Sequence, residues 1–285
     1  MPLLALKGNA NGNDVSDNFR VFIAETAEIN NLSAREYSIN VAANNLEKNA
    51  HEETIKAEIV ASFTKALYYK NKNKNLNFDI DDITDGYVAT EKIKEKFGAE
   101  FNTLYNRFCE AADEVFGKKI LYNNTPILAE RHKASSGVTE DAKNLLSGEF
   151  PYLVSVESAG DLLYENHISE KKISLEKMKS HLKTQGLTPS ENPNEYFKIT
   201  KNSTCGNVLK INVLGKEFSG EEIKNIFNLP SACFNISFKD DSFLFTVKGE
   251  GSFLGLSRVG AEYMAQNGSG YTQILSWYYP GCVME

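Results

Sequence analysis

The chain has 285 residues, 41% of them hydrophobic, with 17 phenylalanines and 13 tyrosines, enough apolar material for one large domain with a substantial core. Its formal charge of −7 argues against a nucleic-acid partner, which would demand a basic face. The four cysteines, Cys109, Cys205, Cys233 and Cys282, are scattered without a C-x-x-C pair and are expected as buried or incidental thiols rather than as a disulfide or metal framework.

No apolar run reaches membrane-spanning length, and the hydrophobic stretch within Met1–Gly12 is too short for a signal peptide. Either the protein stays in the cytoplasm, or a longer form carries an N-terminal anchor. Residues 19–32 (FRVFIAETAEINNL) alternate as a strand pair. Asn49, with Glu52 three positions on, is an N-cap candidate. Behind it Ile55, Ile59, Phe63, Ala66 and Leu67 recur at helical spacing. A second amphipathic helix is expected over about 91–116, with Phe97, Phe101, Leu104, Phe108 and Val115 on one side. Lys119–Leu128 (KILYNNTPIL) reads as a hairpin turning at Asn123-Asn124.

Residues 162–196 are charged and read as helical, broken by PSENP at 189–193. From Tyr196 the pattern is strand-like (YFKIT, VLKINVLG, CFNISFKDDSFLFTVKG), with a short helix at Gly220–Phe227. Two helical turns close the chain, around 259–266 and 271–279, separated by Gly268 and Gly270. Helices first and antiparallel strands later make an α+β fold: a single large domain with a helical N-terminal part and an antiparallel-strand-rich C-terminal part. Tyr37, Trp277, Tyr278 and Tyr279 are expected in the core, with sugar stacking as the other role open to the last three.

Three stretches carry a resemblance. Tyr37–Leu46 (YSINVAANNL) and the Glu52–Leu67 segment match, without a gap, a pattern that runs YVxGVVAAEM and then EEALKAQAVAARTYAL. Residues 126–153 (PILAERHKASSGVTEDAKNLLSGEFPYL) match a His followed by S-G-G-x-T-E and a Pro-Tyr-Leu. GEGSFLGLSRVGA to YYPG matches G-x-G-H-G-V-G-M-S-Q-x-G-A to YYPG. In this order they resemble the stage II sporulation protein D family, also called the amidase-enhancer family. The likeness implies an N-terminal extension over residues 1–18 and a family domain over 19–281, with subdomains of about 19–161 and 162–281.

Members of that family are lytic transglycosylases of peptidoglycan glycan strands, which a partner amidase has stripped of stem peptides. The resemblance therefore implies peptidoglycan glycan and a cell-wall amidase as partners, and an extracytoplasmic, cell-wall or forespore-facing location. One carboxyl group must protonate the glycosidic oxygen and then take a proton from the sugar's own hydroxyl. In the gapless register that Glu falls on Asn45, and an amide cannot exchange the proton. The family's two zinc cysteines fall on Asp81 and Gly86, a set zinc does not favour, so no metal and no cofactor is expected. The acidic run Asp79, Asp81, Asp82 and Asp85 is expected as a solvated turn, since an EF-hand would want Gly and Glu where Thr84 and Thr90 stand.

In the closing stretch the His becomes Ser252, the second Gly becomes Phe253 and the Gln becomes Arg258, which leaves the shell of an active-site loop. The surviving polar residues His132, Ser135, Ser136, Thr139 and Glu140, with Ser252, Ser257 and Arg258, are candidates for lining a glycan cleft. A local hydrogen-bonded turn network is the other reading of the 132–140 cluster. Two functions follow from the resemblance: a non-catalytic glycan- or partner-binding protein, and an active transglycosylase using a displaced carboxylate, Glu47 or Glu53. A third reading is a cytoplasmic protein that reuses the fold for another interaction.

Overall fold

Alternating apolar residues begin the described chain. Phe19 and Val21 point inward from β1 (Asn18–Ile23), which pairs antiparallel with β2 (Glu28–Ser33), as the alternation at 19–32 predicts. The computed structural model describes residues 18–285, so the expected N-terminal extension, residue 18 apart, lies outside the described residues. Ser33 caps α1 (Ala34–Asn45) by accepting from the Glu36 amide. Residues 37–43 of this helix are all buried. A helix covered on every side shows no one-sided apolar stripe, so periodicity did not mark α1.

α2 (Glu52–Lys72) is the central helix, buried without interruption from Thr54 to Ala66. It is capped by His51 rather than by Asn49: the Glu53 amide donates to His51 Nδ1. Arg107 donates to the carbonyls of Lys48 and Ala50, and the loop holding Asn49 is thereby fixed outside the helix. β3 (Ile80–Asp81) runs parallel to β1, and the short α3 (Asp82–Asp85) follows.

The single helix expected over 91–116 is two, α4 (Thr90–Phe97) and α5 (Phe101–Val115). Gly98 ends the first with φ +60°, a conformation that suits only glycine well, and the break lets Phe97 stack on Phe108. β4 (Ile120–Tyr122) and β5 (Thr125–Pro126) form the expected hairpin, with Asn123 and Asn124 both at positive φ, as a type I′ turn requires.

Beyond β6 (Arg131–His132) the charged stretch departs from its helical reading. Residues Ile168–Ser174 form β7, and only Leu175–Thr184 is helical, as α6. β7 is the edge of a sheet of order β11-β12-β7, so Glu170 and Lys172 face solvent along an edge where charge blocks further pairing. β8 (Phe197–Asn202), β9 (Val208–Val213) and β10 (Lys216–Phe218) make a second antiparallel sheet, followed by α7 (Gly220–Phe227). β11 (Phe234–Lys239) and β12 (Ser242–Lys248) complete the strand-rich part.

β13 (Leu256–Ser257) then returns to pair with β6. α8 (Arg258–Gln266) and α9 (Tyr271–Tyr278) follow, and β14 (Val283–Met284) closes against β4. The architecture is α+β, as the order of elements implies. One core joins residues from Ile39 to Leu153 with residues from Leu254 to Tyr279, and another lies within Ile173–Val247. No helix among the described residues is long and apolar enough to cross a membrane.

Candidate functional site

The site is built where the end of α1 meets the start of α8. Lys96 donates to the carbonyls of Ala43, Asn44 and Leu46, a cation at the helix C-terminus where free carbonyls and the dipole favour one. That contact holds Asn45 beside a cleft of about 320 Å³, lined by Asn45, Glu47, Thr54, Lys133, Arg258 and Glu262 among others. A smaller hollow of about 200 Å³ opens between Asn45, Lys65, Asp85, Gly86, Arg131 and Arg258. Asn45 and Arg258 line both, and so form the partition between them.

Asn45 Nδ2 donates to the carbonyls of Val41 at 2.9 Å and Asp85 at 3.0 Å. Both partners are acceptors, which suits an amide and not a carboxylate. Asp81 and Gly86, where the resembled family carries zinc ligands, lie in the adjacent turn. Both Asp81 carboxylate oxygens are engaged by Thr84, one by its amide and one by its hydroxyl. Gly86 has no donor atom, and its left-handed backbone, φ +70°, packs against the Asn45 side chain. These residues do not fit zinc, which wants thiolate or imidazole.

Behind the partition lies a buried ion network. Glu58 Oε1 accepts from Arg131 Nε at 2.9 Å and from Arg258 Nε and Nη2 at 3.1 and 3.0 Å. Arg131 also binds Asp85, Tyr37 donates to Asp85, and Lys65 reaches Glu130 at 3.0 Å. Burial alone would raise the Glu58 carboxyl; the charges of Arg258 and Arg131 outweigh it and hold the group below the usual carboxylate range. Glu58 is therefore ionised at neutral pH, a counter-ion and not a proton donor. Asp85 belongs to this network, and Asp79 is buried against Arg20. The acidic run is thus not a solvated turn, because half of its carboxylates are consumed as buried partners of arginine.

The two proposed stand-in carboxylates are placed differently. Glu47 lines the cleft, 74% exposed, and binds Lys133 at 2.6 Å. The Lys133 hydrogen bond and charge hold its carboxyl below the ordinary value, the wrong direction for a general acid. Glu53 is turned away from the cleft lining and accepts from the Tyr271 amide and Lys56. The other carboxylate on the cleft, Glu262, accepts from the His51 amide, Thr54 Oγ1 and Gln266.

Of the candidate lining residues, only Arg258 joins Asn45 on the cleft. His132, Ser135, Thr139, Glu140 and Ser257 are buried behind it, and their polar atoms, His132 Nε2 apart, bond within the protein. Asp161 accepts from the amide and hydroxyl of Ser135 and from the Ser257 hydroxyl, and so ties three segments together. Glu140 accepts from Asp141 N, Asn144, Cys205 and Asn207. Thr139 bridges to Val154 and Val156. Ser136 donates to the Cys205 carbonyl, and half-buried Ser252 accepts from the Leu254 amide. The 132–140 cluster is a hydrogen-bond network tied mainly to distant segments, among them Asp161, Cys205 and Leu254, and is not the local turn network its residue types suggest.

Glu58, Arg131, Asp161, Lys133 and Glu262 were not among the residues the sequence singled out. A signal for Glu58 was present: the KAQAV string of the resembled pattern has Gln at its position. With the Gln at Arg258's position, two amides have become an ion pair.

His132 Nδ1 lies 3.0 Å from the Leu254 carbonyl and must donate to it, leaving Nε2 buried without a partner. Burial pushes the imidazole down to about 4, with Asp161 opposing and Arg258 adding. Its folded value lies below that of the unfolded chain, roughly 6.5. The unfolded state therefore binds more protons between those values, and stability falls as pH falls through that window. Urea unfolding at pH 7 and pH 4.5 should differ by about 2–3 kcal/mol from this group, and His132→Gln should remove that difference. Glu58, held low, adds its own loss only beneath the ordinary carboxylate value. An unaltered slope in the variant would contradict the assignment.

Fold and site together define an α+β protein with an open polar cleft, whose wall is a buried ion network and whose central position is an amide. A family model described as Stage II sporulation protein matches residues 23–122. The chain is 26% identical to Stage II sporulation protein D of Bacillus subtilis over 92% of its own length and 77% of the relative's. It is 27% identical to the protein of the same name from Bacillus amyloliquefaciens, over 92% and 76%. To the Amidase enhancer of Bacillus subtilis it is 22% identical over 66% of this chain and 33% of that protein. The chain is thus similar to the stage II sporulation protein D family over most of its length, at moderate identity.

Proposed function

We propose that this protein binds peptidoglycan glycan in the cleft beside Asn45 without cleaving it, and that it works outside the cytoplasm with a cell-wall amidase. One observation carries the loss of catalysis. The amide of Asn45 is committed to two carbonyls, and the carboxylates lining the cleft, Glu47 and Glu262, are held by Lys133 or by backbone and side-chain donors. Lys133 holds the Glu47 carboxyl below its ordinary value and protein donors occupy Glu262, so neither is placed as a general acid, a function typically worth roughly 10²–10⁴-fold in rate. The name Amidase enhancer, carried by one relative, supports the amidase partner. The family's link to sporulation supports the cell-wall setting.

The test is incubation with denuded glycan strands and a search for anhydro-muramyl products. None above background is expected, while the strands are retained by the immobilised protein. Robust product would end this reading in favour of a displaced carboxylate. Asn45→Glu alone is expected to reach less than about 1% of a competent family member's rate, the scale set by a carboxyl in the wrong protonation state for a general acid. The new carboxyl would lie beside Arg258, and Phe253 would still fill the loop.

A further inference from the structure

The cleft does not stop at Glu262. Two of its lining residues, Gly160 and Tyr263, also line a second groove of about 210 Å³, whose other walls include Ala159, Met264, Trp277 and Tyr278. Two aromatic rings stand on its rim, Trp277 from α9 at 47% exposure and Tyr263 from α8 at 41%. Trp277 is thus not in the core where its neighbours Tyr278 and Tyr279 lie. Its indole N–H donates to the Glu157 carbonyl at 2.7 Å, which fixes the plane of the ring without covering its face.

The groove is made by close approach. A Cβ on Gly160 would lie 2.4 Å from Tyr263 Cβ, and one on Gly260 would lie 2.0 Å from the Tyr278 hydroxyl. Only glycine at both positions lets the 159–163 turn sit this deep against α8. An exposed apolar patch that is concave, pinned and continuous with a polar cleft is a ligand feature rather than incidental surface.

We propose that the Trp277–Tyr263 groove is a sugar-stacking subsite, which takes the C–H face of a pyranose ring in a glycan running on from the cleft. The inference rests on the glycan reading above. The two rings offer flat apolar faces with polar edges, and the cleft side supplies Gln266 and Glu262 for hydroxyls. A protein partner would find a recess of about 210 Å³ instead of a flat patch.

Trp277 is the only tryptophan in the chain, so emission excited beyond the tyrosine absorption band reports on this groove alone. Titration with a soluble, peptide-free oligomer of alternating N-acetylglucosamine and N-acetylmuramic acid should shift that emission saturably. Calorimetry should show binding weakened about three- to tenfold by Trp277→Ala and by Tyr263→Ala, the range of a lost aromatic contact. Trp277→Phe should retain most of the affinity, and unfolding midpoints confirm that the variants fold. Gly160→Ala, which displaces Tyr263, should weaken binding similarly. If the oligomer binds by calorimetry with unchanged emission and Trp277→Ala binds like the parent, the subsite is overturned while the glycan reading stands. Equal losses in the Ala and Phe variants would assign the effect to the Glu157 bond and also overturn stacking. Failure of the parent protein to bind the oligomer removes both readings together.

Discussion

Replacing Glu58 with Gln should lower the unfolding free energy by about 3–5 kcal/mol, the usual consequence of removing one member of a buried ion network. The carboxylate is fully enclosed and serves both Arg131 and Arg258. Arg131 keeps Asp85, but two guanidinium groups would be left facing each other with one negative partner gone. Arg258 is 15% exposed at the cleft wall and can recover only part of its hydration.

The second half of the experiment is the double variant. Glu58→Gln with Arg258→Gln creates the two amides present in the resembled family pattern, an arrangement that needs no buried charge pair. It should return to within about 1 kcal/mol of the parent, a coupling energy of about 2 kcal/mol or more in a double-mutant cycle. Additive losses, read from urea midpoints at constant m-value, would show that the two positions did not change as a unit.

Phe253→Gly is expected to destabilise by about 2–3 kcal/mol, although it relieves strained backbone. Phe253 sits at φ +69°, between Gly251 at +105° and Gly255 at +65°. The loop has kept a glycine backbone after losing the glycine, at roughly 1–2 kcal/mol of strain. Against this stands the ring, fully buried with Cys205 and Cys233 and 5.8 Å from the His132 ring centroid. Deleting a buried Phe typically costs about 3–5 kcal/mol, so packing wins.

Gly249 shows the accommodation from the other side: a Cβ there would lie 2.7 Å from the tip of the Phe253 ring. The accompanying readout is thiol access. Burial, with Glu140 adding for Cys205, holds Cys205 up to about 12 and Cys233 up to about 11, and both should react faster with a thiol reagent once the ring is gone. A variant as stable as the parent, with unchanged labelling, would mean that the ring packs nothing.

Both results bear on how this chain departs from the pattern it resembles. In each case a residue of that pattern is replaced by one that the protein itself engages. Asn45 answers two carbonyls, Arg258 answers Glu58, and Phe253 fills its own pocket. That is why binding, and not bond cleavage, is the function proposed for the cleft.

Local sequence alone determined the elements whose physics is local. The hairpin at Asn123-Asn124 needs only residues tolerant of positive φ, β1 and β2 only their alternation, and α7 only its capping box at Ser219 and Glu222. The α+β class and the replacement at position 45 were likewise legible. Tertiary structure decided the rest. α1 carries no periodicity because every side is covered, β7 reads as helix until β12 pairs with it, and Gly98 breaks a helix that spacing alone would continue. Whether a polar residue lines a cleft or supports it depends on which partner segment arrives. His132 and Ser257 are brought together by the β6–β13 pairing of residues more than a hundred positions apart. Glu58 lies on a helix face with nothing local to show that two arginines from distant segments will close over it. Burial and charge pairing are properties of the assembled chain, and no window of sequence contains them.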